Sequence, residues 1–371
     1  MKRTLCFLTA CVLCVVLLVG TLALVACDKQ DAPPEPIVEP EIEVSGAYTL
    51  TDGTFVATED NAFGYITNRS VSDGSAEFVM TSTADSCAGL VFALSDDMAS
   101  YYFLGVNNLA PRQFVLMKHE NGEDVLLKAS YMSQHKHSYV YELRVELFGS
   151  KIMCFNDGQL YLTYTDENRL EGTKIGFKSG LKDTSFADFE LSKDSKFVTH
   201  DVILAGHSYF HLWTNCAEDL DKFDDVFNIG IGGTITSDWI DHVDEIVEYN
   251  PSKVIFCIGI NDFPGVGANV FNNLKTAIDR LLERLPNVEI CALSINQTLT
   301  HNQWWQQISV FDCMLRDYAN ATERVYYGDM DNAFLNDQGY PDPNCFTDGL
   351  HPTAESYKVF ADAIYKAFGM E

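Results

Sequence analysis

Four short blocks in the second half of the chain carry the residue types that serine-dependent acyl transfer requires. They are Gly206-His207-Ser208, Gly232-Gly233, Gly259-Ile260-Asn261-Asp262 and Asp348-Gly349-Leu350-His351. The first block offers a hydroxyl, the last offers an imidazole base with a carboxylate to orient it, and the middle two offer hydrogen-bond donors for an oxyanion. No block is specific alone. Together, in this order and at strand ends or in loops, they predict a site for ester hydrolysis.

The chemistry explains why these residue types are needed. A serine hydroxyl is a poor nucleophile until a neighbouring base accepts its proton, and histidine suits this task because its ordinary pKa is near neutral. Asp348 lies three residues before His351, so its carboxylate can reach the second ring nitrogen within one loop and fix the tautomer. Glycine at position 233 lets a backbone N–H approach the substrate closely. Asn261 would lose its side-chain donor if it were aspartate.

The elements that must position these blocks alternate from about residue 197 onward. Five apolar runs are typical of buried strands, at residues 202–206, 226–230, 253–259, 288–293 and 325–328. Helical patterns separate them, and one helical face carries Val270, Leu274, Ile278 and Leu281. Strands that alternate with helices predict a doubly wound parallel α/β domain over residues 195–371. Sites in such sheets lie beyond the carboxyl ends of the strands, where these blocks fall.

Residues 45–194 have an all-β pattern instead. Asn121-Gly122 separates two apolar runs and predicts a hairpin, and Asn156-Asp157-Gly158 marks a second turn. Turn signals that recur roughly every 8–12 residues indicate a β-sandwich. The strands and turns of residues 141–158 and 172–177 resemble the laminin-G and concanavalin-like jelly-roll family, whose members often bind glycans. The sequence therefore predicts an N-terminal jelly-roll β-sandwich.

The C-terminal region resembles the SGNH (GDSL-type) hydrolases across residues 197–371. His207-Ser208 lies where that family has Asp-Ser after its first strand. Residues 228–236 resemble the second block of the platelet-activating-factor acetylhydrolase branch. Residues 259–262 match the third block, and residues 348–352 match the last block, which a predicted helix follows.

The resemblance implies a role for each matching residue. Ser208 would be the nucleophile, and its own backbone N–H would be one oxyanion donor. Gly233 would donate a second backbone N–H, and Asn261 would donate its side-chain amide. His351 would be the base, and Asp348 the acid that orients it.

Two positions depart from the family pattern. His207 stands where the family has Asp, and Thr234 replaces an Asp that often follows the second-block glycine. The family's Asp supports the turn before the serine, so we expect altered local bonding and retained activity. One alternative is that His207 is itself the base, which is disfavoured because adjacent side chains tend to point apart. Another is that the domain is a degenerate, inactive binding module.

The N-terminus has the organisation of a secretory signal. Lys2 and Arg3 precede a long uncharged stretch, and Leu24-Val25-Ala26-Cys27 resembles a bacterial lipobox. The resemblance implies that residues 1–26 are removed as a lipoprotein signal peptide and that Cys27 carries the lipid. An uncleaved signal anchor is the alternative, since the apolar stretch is long enough to span a bilayer.

Residues 27–44 follow as a segment rich in proline and acidic residues. Such a composition cannot bury a core, and its prolines favour extended conformations. We therefore expect a tether that holds the folded part off the membrane. The predicted location is the bacterial cell surface, with attachment through the lipid.

Composition limits the partners of the chain. A chain of 371 residues suggests two domains, and 47% hydrophobic residues can fill two cores. The net charge of −28 argues against a nucleic-acid groove and against electrostatic binding to anionic lipid, so membrane contact is expected only through the anchor. We expect no cofactor and no metal. The seven cysteines that follow Cys27 lack CxxC spacing, and His135 and His137 are better explained by a solvated loop.

These observations predict an exported, lipid-anchored serine esterase with an appended β-sandwich. The expected partner is a short-acyl ester, in particular an O-acetylated polysaccharide. A lysophospholipase or general short-acyl esterase is one alternative, and a non-catalytic glycan-binding lipoprotein is another. Only residues 193–197 separate the β pattern from the first α/β strand, and they resemble neither a Gly/Ser nor a Pro linker. The two domains are therefore expected to pack against each other.

Overall fold

The computed structural model of the protein describes residues 42–82, 86–109, 112–132 and 139–370. The predicted signal peptide (1–26), Cys27 and most of the predicted tether lie outside these residues, and so do His135 and His137. In the described part of the chain, no helix combines the length and apolar character needed to cross a membrane.

Fourteen strands make up the N-terminal part of the described chain. They are β1 (Val44–Gly46), β2 (Tyr48–Thr51), β3 (Thr54–Ala57), β4 (Ala62–Ser70), β5 (Gly74–Thr81), β6 (Cys87–Leu94), β7 (Tyr101–Asn107), β8 (Gln113–Glu120), β9 (Glu123–Tyr131), β10 (Val140–Phe148), β11 (Lys151–Asn156), β12 (Gln159–Thr165), β13 (Lys174–Ser179) and β14 (Ser185–Ser192). They form two antiparallel seven-stranded sheets, with orders β1-β4-β13-β6-β7-β8-β9 and β12-β11-β10-β5-β14-β3-β2. The predicted β-sandwich is confirmed.

Alternation along the strands divides the sandwich side chains between two faces. On β7, Tyr102 and Leu104 belong to the large buried cluster between the sheets, whereas Tyr101 and Phe103 belong to a smaller cluster on the other face. The predicted hairpin at Asn121-Gly122 joins β8 to β9. Both turn residues have positive φ, 57° and 78°, as a two-residue turn of the primed type requires.

The C-terminal part contains a five-stranded parallel sheet with helices between its strands. The strands are β15 (Val202–Gly206), β16 (Val226–Asn228), β17 (Lys253–Cys257), β18 (Glu289–Leu293) and β19 (Val325–Gly328), in the order β16-β15-β17-β18-β19. The helices are α1 (Ser208–His211), α2 (Cys216–Asp219), α3 (Asp238–Asp241), α4 (Val243–Tyr249), α5 (Gly267–Arg284), α6 (Trp305–Ala321) and α7 (Tyr357–Ala367). Short 3₁₀ turns occupy Ile260–Asp262, Asn302–Trp304 and Pro343–Cys345. The predicted α/β fold is confirmed.

The parallel sheet is buried on both faces because helices pack against each of them. On β15, Ile203 packs into a cluster that includes Leu274 of α5. Its neighbours Val202 and Leu204 pack into a second cluster that includes Phe360 of α7. The carboxyl ends of the strands remain free to carry the loops that contain the sequence blocks.

The sandwich and the α/β region are in direct contact. The backbone N–H of Leu160 on β12 donates to the Tyr249 hydroxyl at 2.8 Å, and the N–H of Thr163 donates to the buried Glu245 carboxylate at 2.8 Å. Lys128 on β9 donates to the same Glu245 oxygen at 2.6 Å. These bonds join the sandwich to α4. A buried charge such as Glu245 is tolerated only with partners of this kind.

Candidate active site

Ser208 lies at the point where the first parallel strand ends and α1 begins. It is the first residue of α1, and its side chain is almost buried. His207 precedes it as the N-cap, with extended backbone (φ −88°, ψ −154°), and its Nδ1 accepts a hydrogen bond from the Tyr209 N–H at 3.2 Å. The strand-to-helix turn therefore presents the Ser208 hydroxyl at the carboxyl edge of the sheet.

His351 and Asp348 reach the same edge from the loop before α7. His351 Nε2 lies 3.0 Å from Ser208 Oγ, and His351 Nδ1 lies 2.7 Å from Asp348 Oδ2. The other Asp348 oxygen accepts hydrogen bonds from the backbone N–H groups of His351 and Leu350, at 2.8 Å and 3.0 Å. The structure thus places a hydroxyl, an imidazole and a carboxylate in one hydrogen-bonded series.

The carboxylate of this series stays charged. Burial acts to raise the pKa of Asp348, but hydrogen bonds from the His351 backbone and ring and from the Leu350 N–H outweigh it and lower the pKa to about 2. An ionised Asp348 can only accept at His351 Nδ1, so that nitrogen carries the proton and Nε2 is left to face Ser208.

The residues expected to bind an oxyanion lie in two neighbouring loops. Gly233 follows β16 and has φ of +87°, a left-handed conformation that glycine adopts without strain. Asn261 lies in the 3₁₀ turn after β17, where Gly259 has φ of +121°. The Asn261 side-chain amide donates to the Thr234 carbonyl at 3.0 Å, which brings the two loops together. The amide has two N–H groups, and this bond uses only one of them.

Asp262 holds the second-block loop from the other side. Its carboxylate accepts hydrogen bonds from the backbone N–H and the hydroxyl of Thr236, at 3.0 Å and 2.6 Å. Asp262 belongs to the third sequence block, where no role was predicted for it. Its position explains why an acidic side chain next to Asn261 is useful there, since it fixes the path of the chain beyond Gly233.

The two departures from the family pattern have structural substitutes. His207 is buried, and burial together with the nearby His351 and His301 lowers its pKa to about 3, so its neutral ring acts as an acceptor that caps α1. The Thr234 hydroxyl donates to the Ile231 carbonyl at 2.8 Å and accepts from the Trp239 indole at 3.1 Å. Both residues support the local backbone.

Two residues that sequence reasoning missed lie at Gly233. A Cβ placed on Gly233 would lie 3.0 Å from the hydroxyl oxygen of Tyr131, the last residue of β9 in the sandwich. Ile231, two residues before Gly233, is buried in the apolar cluster of the sandwich. A chain-local motif contains no signal for such contacts. To predict the Tyr131 contact from the sequence, one would have had to know that β9 packs against the Gly232-Gly233 block, about 100 residues further along the chain.

A cavity of about 290 Å³ opens beside His351. Its walls come from the end of α1, the following segment and the loop before α7. The residues that line it are Leu212, Trp213, Thr214, Asn215, Asp219, Thr347, His351, Pro352, Ala354 and Tyr357. Its size is at the small end of the range for small-molecule sites. In the described residues, no group of three or more His, Cys, Asp or Glu side chains is arranged to hold a metal ion.

Residues 199–359 match the GDSL-like Lipase/Acylhydrolase family. No curated protein matches the chain. Among solved structures, a GDSL-like lipase from Bacteroides thetaiotaomicron VPI-5482 is 17% identical with a TM-score of 0.40, over 46% of this chain and 88% of that chain. A carbohydrate esterase family 3 protein from Talaromyces cellulolyticus is 15% identical with a TM-score of 0.35, over 46% and 96%. The carbohydrate binding module CBM66 from Bacillus subtilis is 18% identical with a TM-score of 0.34, over 40% and 92%.

Proposed function

We propose that the protein is a serine ester hydrolase that removes short acyl groups, in particular acetyl, from polysaccharides, and the match of residues 199–359 to the GDSL-like Lipase/Acylhydrolase family supports the ester hydrolase. The observation that carries the assignment of the reacting groups is the series Ser208 Oγ, His351 Nε2, His351 Nδ1 and Asp348 Oδ2, joined at 3.0 Å and 2.7 Å. A hydroxyl in this setting is activated for attack on a carbonyl.

In the first step, Ser208 Oγ attacks the carbonyl carbon of the ester while His351 Nε2 takes its proton. Asp348 accepts from Nδ1–H and stabilises the imidazolium that forms. The backbone N–H groups of Ser208 and Gly233 and the Asn261 amide stabilise the negative carbonyl oxygen. The tetrahedral intermediate collapses when His351 returns the proton to the alcohol oxygen, which leaves and gives an acyl-serine.

In the second step, water takes the place of the alcohol. His351 Nε2 removes a proton from the water as its oxygen attacks the acyl-serine carbonyl, and the same donors stabilise the second oxyanion. His351 then returns the proton to Ser208 Oγ, and the carboxylic acid leaves. The reaction needs no cofactor, and atoms balance with one water consumed per ester cleaved.

The dimensions of the cavity beside His351 support a short acyl group. Its volume of about 290 Å³ is bounded by Trp213 and Tyr357, which are both buried, and by Pro352. Such a space holds an acetyl group with part of the alcohol, and it encloses only part of a long acyl chain. Burial of each CH₂ contributes about 0.8 kcal/mol, so a chain that stays in water gains no affinity from its length.

The outer face of the first sandwich sheet supports a polysaccharide as the alcohol part. Phe63 and Tyr65 are half-buried there, beside Tyr101 and Phe103. The Lys178 ammonium lies 5.4 Å from the Phe103 ring centre and 5.8 Å from that of Tyr101. Tyr101 and Phe103 are buried, so the rings that offer surface to a ligand are those of Phe63 and Tyr65. A partly exposed aromatic ring matches the apolar face of a sugar, whose rim carries hydroxyls.

We also propose that the enzyme is exported and attached to the membrane through Cys27. The support is the order of a charged start, an apolar stretch and the Leu24-Val25-Ala26-Cys27 sequence. The test is Cys27→Ser in a bacterial host. Release into soluble fractions or failure of processing is expected. Unchanged membrane attachment, with the N-terminus still at Met1, would favour the signal-anchor alternative.

The function is tested with a panel of esters and a matched inactive variant. Acetate or fatty-acid release is measured from acetylated xylan, acetylated pectin, nitrophenyl acetate and a lysophospholipid, with Ser208→Ala as the control. Turnover of nitrophenyl acetate and at least one acetylated polysaccharide, lost in Ser208→Ala, is expected. Preference for lysophospholipid would replace the proposal with the lysophospholipase alternative. Activity on nitrophenyl acetate alone would leave a general short-acyl esterase.

A further inference from the structure

The loop that carries Gly233 lies between two hydrophobic cores. We call residues 228–234 the oxyanion loop. Its backbone is hydrogen-bonded to the end of β15, with the N–H of Ile229 donating to the Leu204 carbonyl at 2.9 Å and the N–H of Ile231 donating to the Gly206 carbonyl at 2.8 Å. The Ile229 side chain packs into the α/β core, which Met153, Phe155 and Leu160 of the sandwich join, whereas the Ile231 side chain is buried in the sandwich core. Alternate residues of one loop are therefore anchored in different domains.

The sandwich makes two further contacts with the oxyanion loop. Gln159, the first residue of β12, donates its side-chain amide to the Ile229 carbonyl at 3.0 Å. The Tyr131 hydroxyl lies against Gly233, 3.0 Å from where a Cβ would be. With the Ile231 side chain, these contacts touch the loop at its start, its middle and its glycine end.

Because of its composition, the oxyanion loop needs contacts from outside the loop to hold its shape. Three of its seven residues, Gly230, Gly232 and Gly233, are glycine, the residue with the most conformational freedom to lose. An oxyanion donor stabilises charge only if it is fixed in place before the charge develops. The loop itself is too permissive to fix the Gly233 N–H, so its position must come from neighbouring groups.

We propose that the β-sandwich is a structural part of the active site, and that Ile231, Gln159 and Tyr131 are positioning residues for the Gly233 N–H. This inference rests on the proposed function, because it takes Gly233 as an oxyanion donor. It predicts that loosening the contact with the sandwich slows the hydrolysis of every ester, including small ones that no glycan-binding surface could recognise.

The first test is Ile231→Ala in the full chain, assayed on nitrophenyl acetate. The turnover number is expected to fall about 10- to 100-fold, the size of effect that a misplacement near 1 Å can produce, with little change in KM. The inhibition constant of a boronic acid, which forms a tetrahedral adduct with the serine and uses the same donors, is expected to rise by a similar factor. A purely structural role would not move kcat and this constant together while leaving KM unchanged.

The matched control is Ile66→Ala. Ile66 is buried in the same sandwich core but lies on β4, near the opposite edge of the sheet from β9. The same side-chain atoms are removed at both positions, so a general loosening of the sandwich affects both variants. Normal kcat in Ile66→Ala with reduced kcat in Ile231→Ala, both measured well below their melting temperatures, supports the proposal.

Two milder variants keep the test decisive if Ile231→Ala does not fold. Gln159→Leu removes the bond to the Ile229 carbonyl, and Tyr131→Ala removes the group against Gly233. Each is expected to lower kcat about two- to tenfold. This is the size of effect that loss of one hydrogen bond produces, and it is smaller than the effect of displacing the donor by about 1 Å. If Ile231→Ala does not fold, wild-type kcat in both of these variants would overturn the proposal.

The outcomes for the two proposals are separable. A fluorophosphonate probe that reacts with an activated serine reports on Ser208 independently of turnover. A wild-type protein that neither cleaves esters nor is labelled at Ser208 would overturn the proposed function and this inference together. A labelled, active wild type with fully active, folded Ile231→Ala, Gln159→Leu and Tyr131→Ala variants would overturn this inference alone.

Discussion

The two sides of the active site are built in different ways. On one side, Ser208, His351 and Asp348 all belong to the α/β domain, and side-chain hydrogen bonds of 3.0 Å and 2.7 Å join them directly. On the other side, Gly233 offers only a backbone N–H, and the contacts that fix its loop come from both domains. Side-chain chemistry is thus provided by one domain, and the rigidity that electrostatic stabilisation needs is provided by two.

Because of this difference, substitutions on the two sides are expected to affect catalysis differently. Under the proposed function, removing a group from the Ser208 side removes a chemical step. Loosening the Gly233 side leaves the chemistry possible and weakens the stabilisation of its transition state. The predictions that follow are ordered by the size of the effect expected from this distinction.

The largest effect is expected on the Ser208 side. Ser208→Ala and His351→Ala should each reduce kcat by about 10⁶-fold, because nucleophile and base act as a unit. The double variant should be hardly worse than either single one. Single-turnover hydrolysis of nitrophenyl acetate, with circular dichroism to establish folding, measures this. Additive losses in the double variant would show that the two residues act separately.

A smaller loss is expected when the orienting acid is neutralised. Asp348→Asn should lower kcat by about 10⁴-fold, because an amide can donate to His351 Nδ1 and so favour the wrong tautomer. The loop should keep its shape, since the Asn oxygen can still accept from the Leu350 and His351 N–H groups. Crystallographic or NMR evidence of an intact loop with wild-type activity would contradict the role given to the carboxylate.

On the oxyanion side, the expected losses are smaller again. Asn261→Ala should reduce kcat by about 10²–10³-fold with KM little changed, the usual cost of one oxyanion donor. Asn261→Asp should be at least as harmful, because a carboxylate would face the developing oxyanion and the Thr234 carbonyl, which now accepts from Asn261. A kcat that is unchanged in Asn261→Ala would remove this residue from the site.

The same contrast explains what the sequence reveals. The five strands of the α/β domain were predictable because buried parallel strands are continuous apolar runs, and the Ser208 side was predictable because its groups lie within short blocks at strand ends. The hydrogen bond that His351 Nδ1 donates to Asp348 spans three residues. Local spacing is enough to predict such a contact.

The support of Gly233 was not predictable in this way. Tyr131 and Ile231 are apolar or aromatic residues in runs that any core contains, and their types alone indicate burial. Only the packing of β9 and β12 on the α/β domain brings Tyr131 and Gln159 to the oxyanion loop and buries Ile231 of that loop in the sandwich core. The short connection between the domains predicted that they would pack, but it did not specify which surfaces would meet.

The smallest effect concerns acid stability at the Ser208 side, where His207 caps α1. Burial lowers the pKa of His207 to about 3, from an ordinary value near 6.5. Between these values the unfolded chain binds a proton that the folded protein does not, so stability falls as pH drops from 6.5 toward 3. At pH 5 the loss from this one residue is about 2 kcal/mol.

His207→Asn keeps a side-chain oxygen that can accept from the Tyr209 N–H and cannot titrate. The variant should therefore lose less stability than the wild type between pH 7 and pH 5, whatever its stability at pH 7. Urea unfolding at both pH values measures this difference. The window avoids Asp348, whose lowered pKa of about 2 makes its own contribution disappear only as pH falls below about 4 toward 2. Equal losses in the two proteins would mean that His207 is not held neutral, and that the cap of α1 is not the reason for a histidine before the serine.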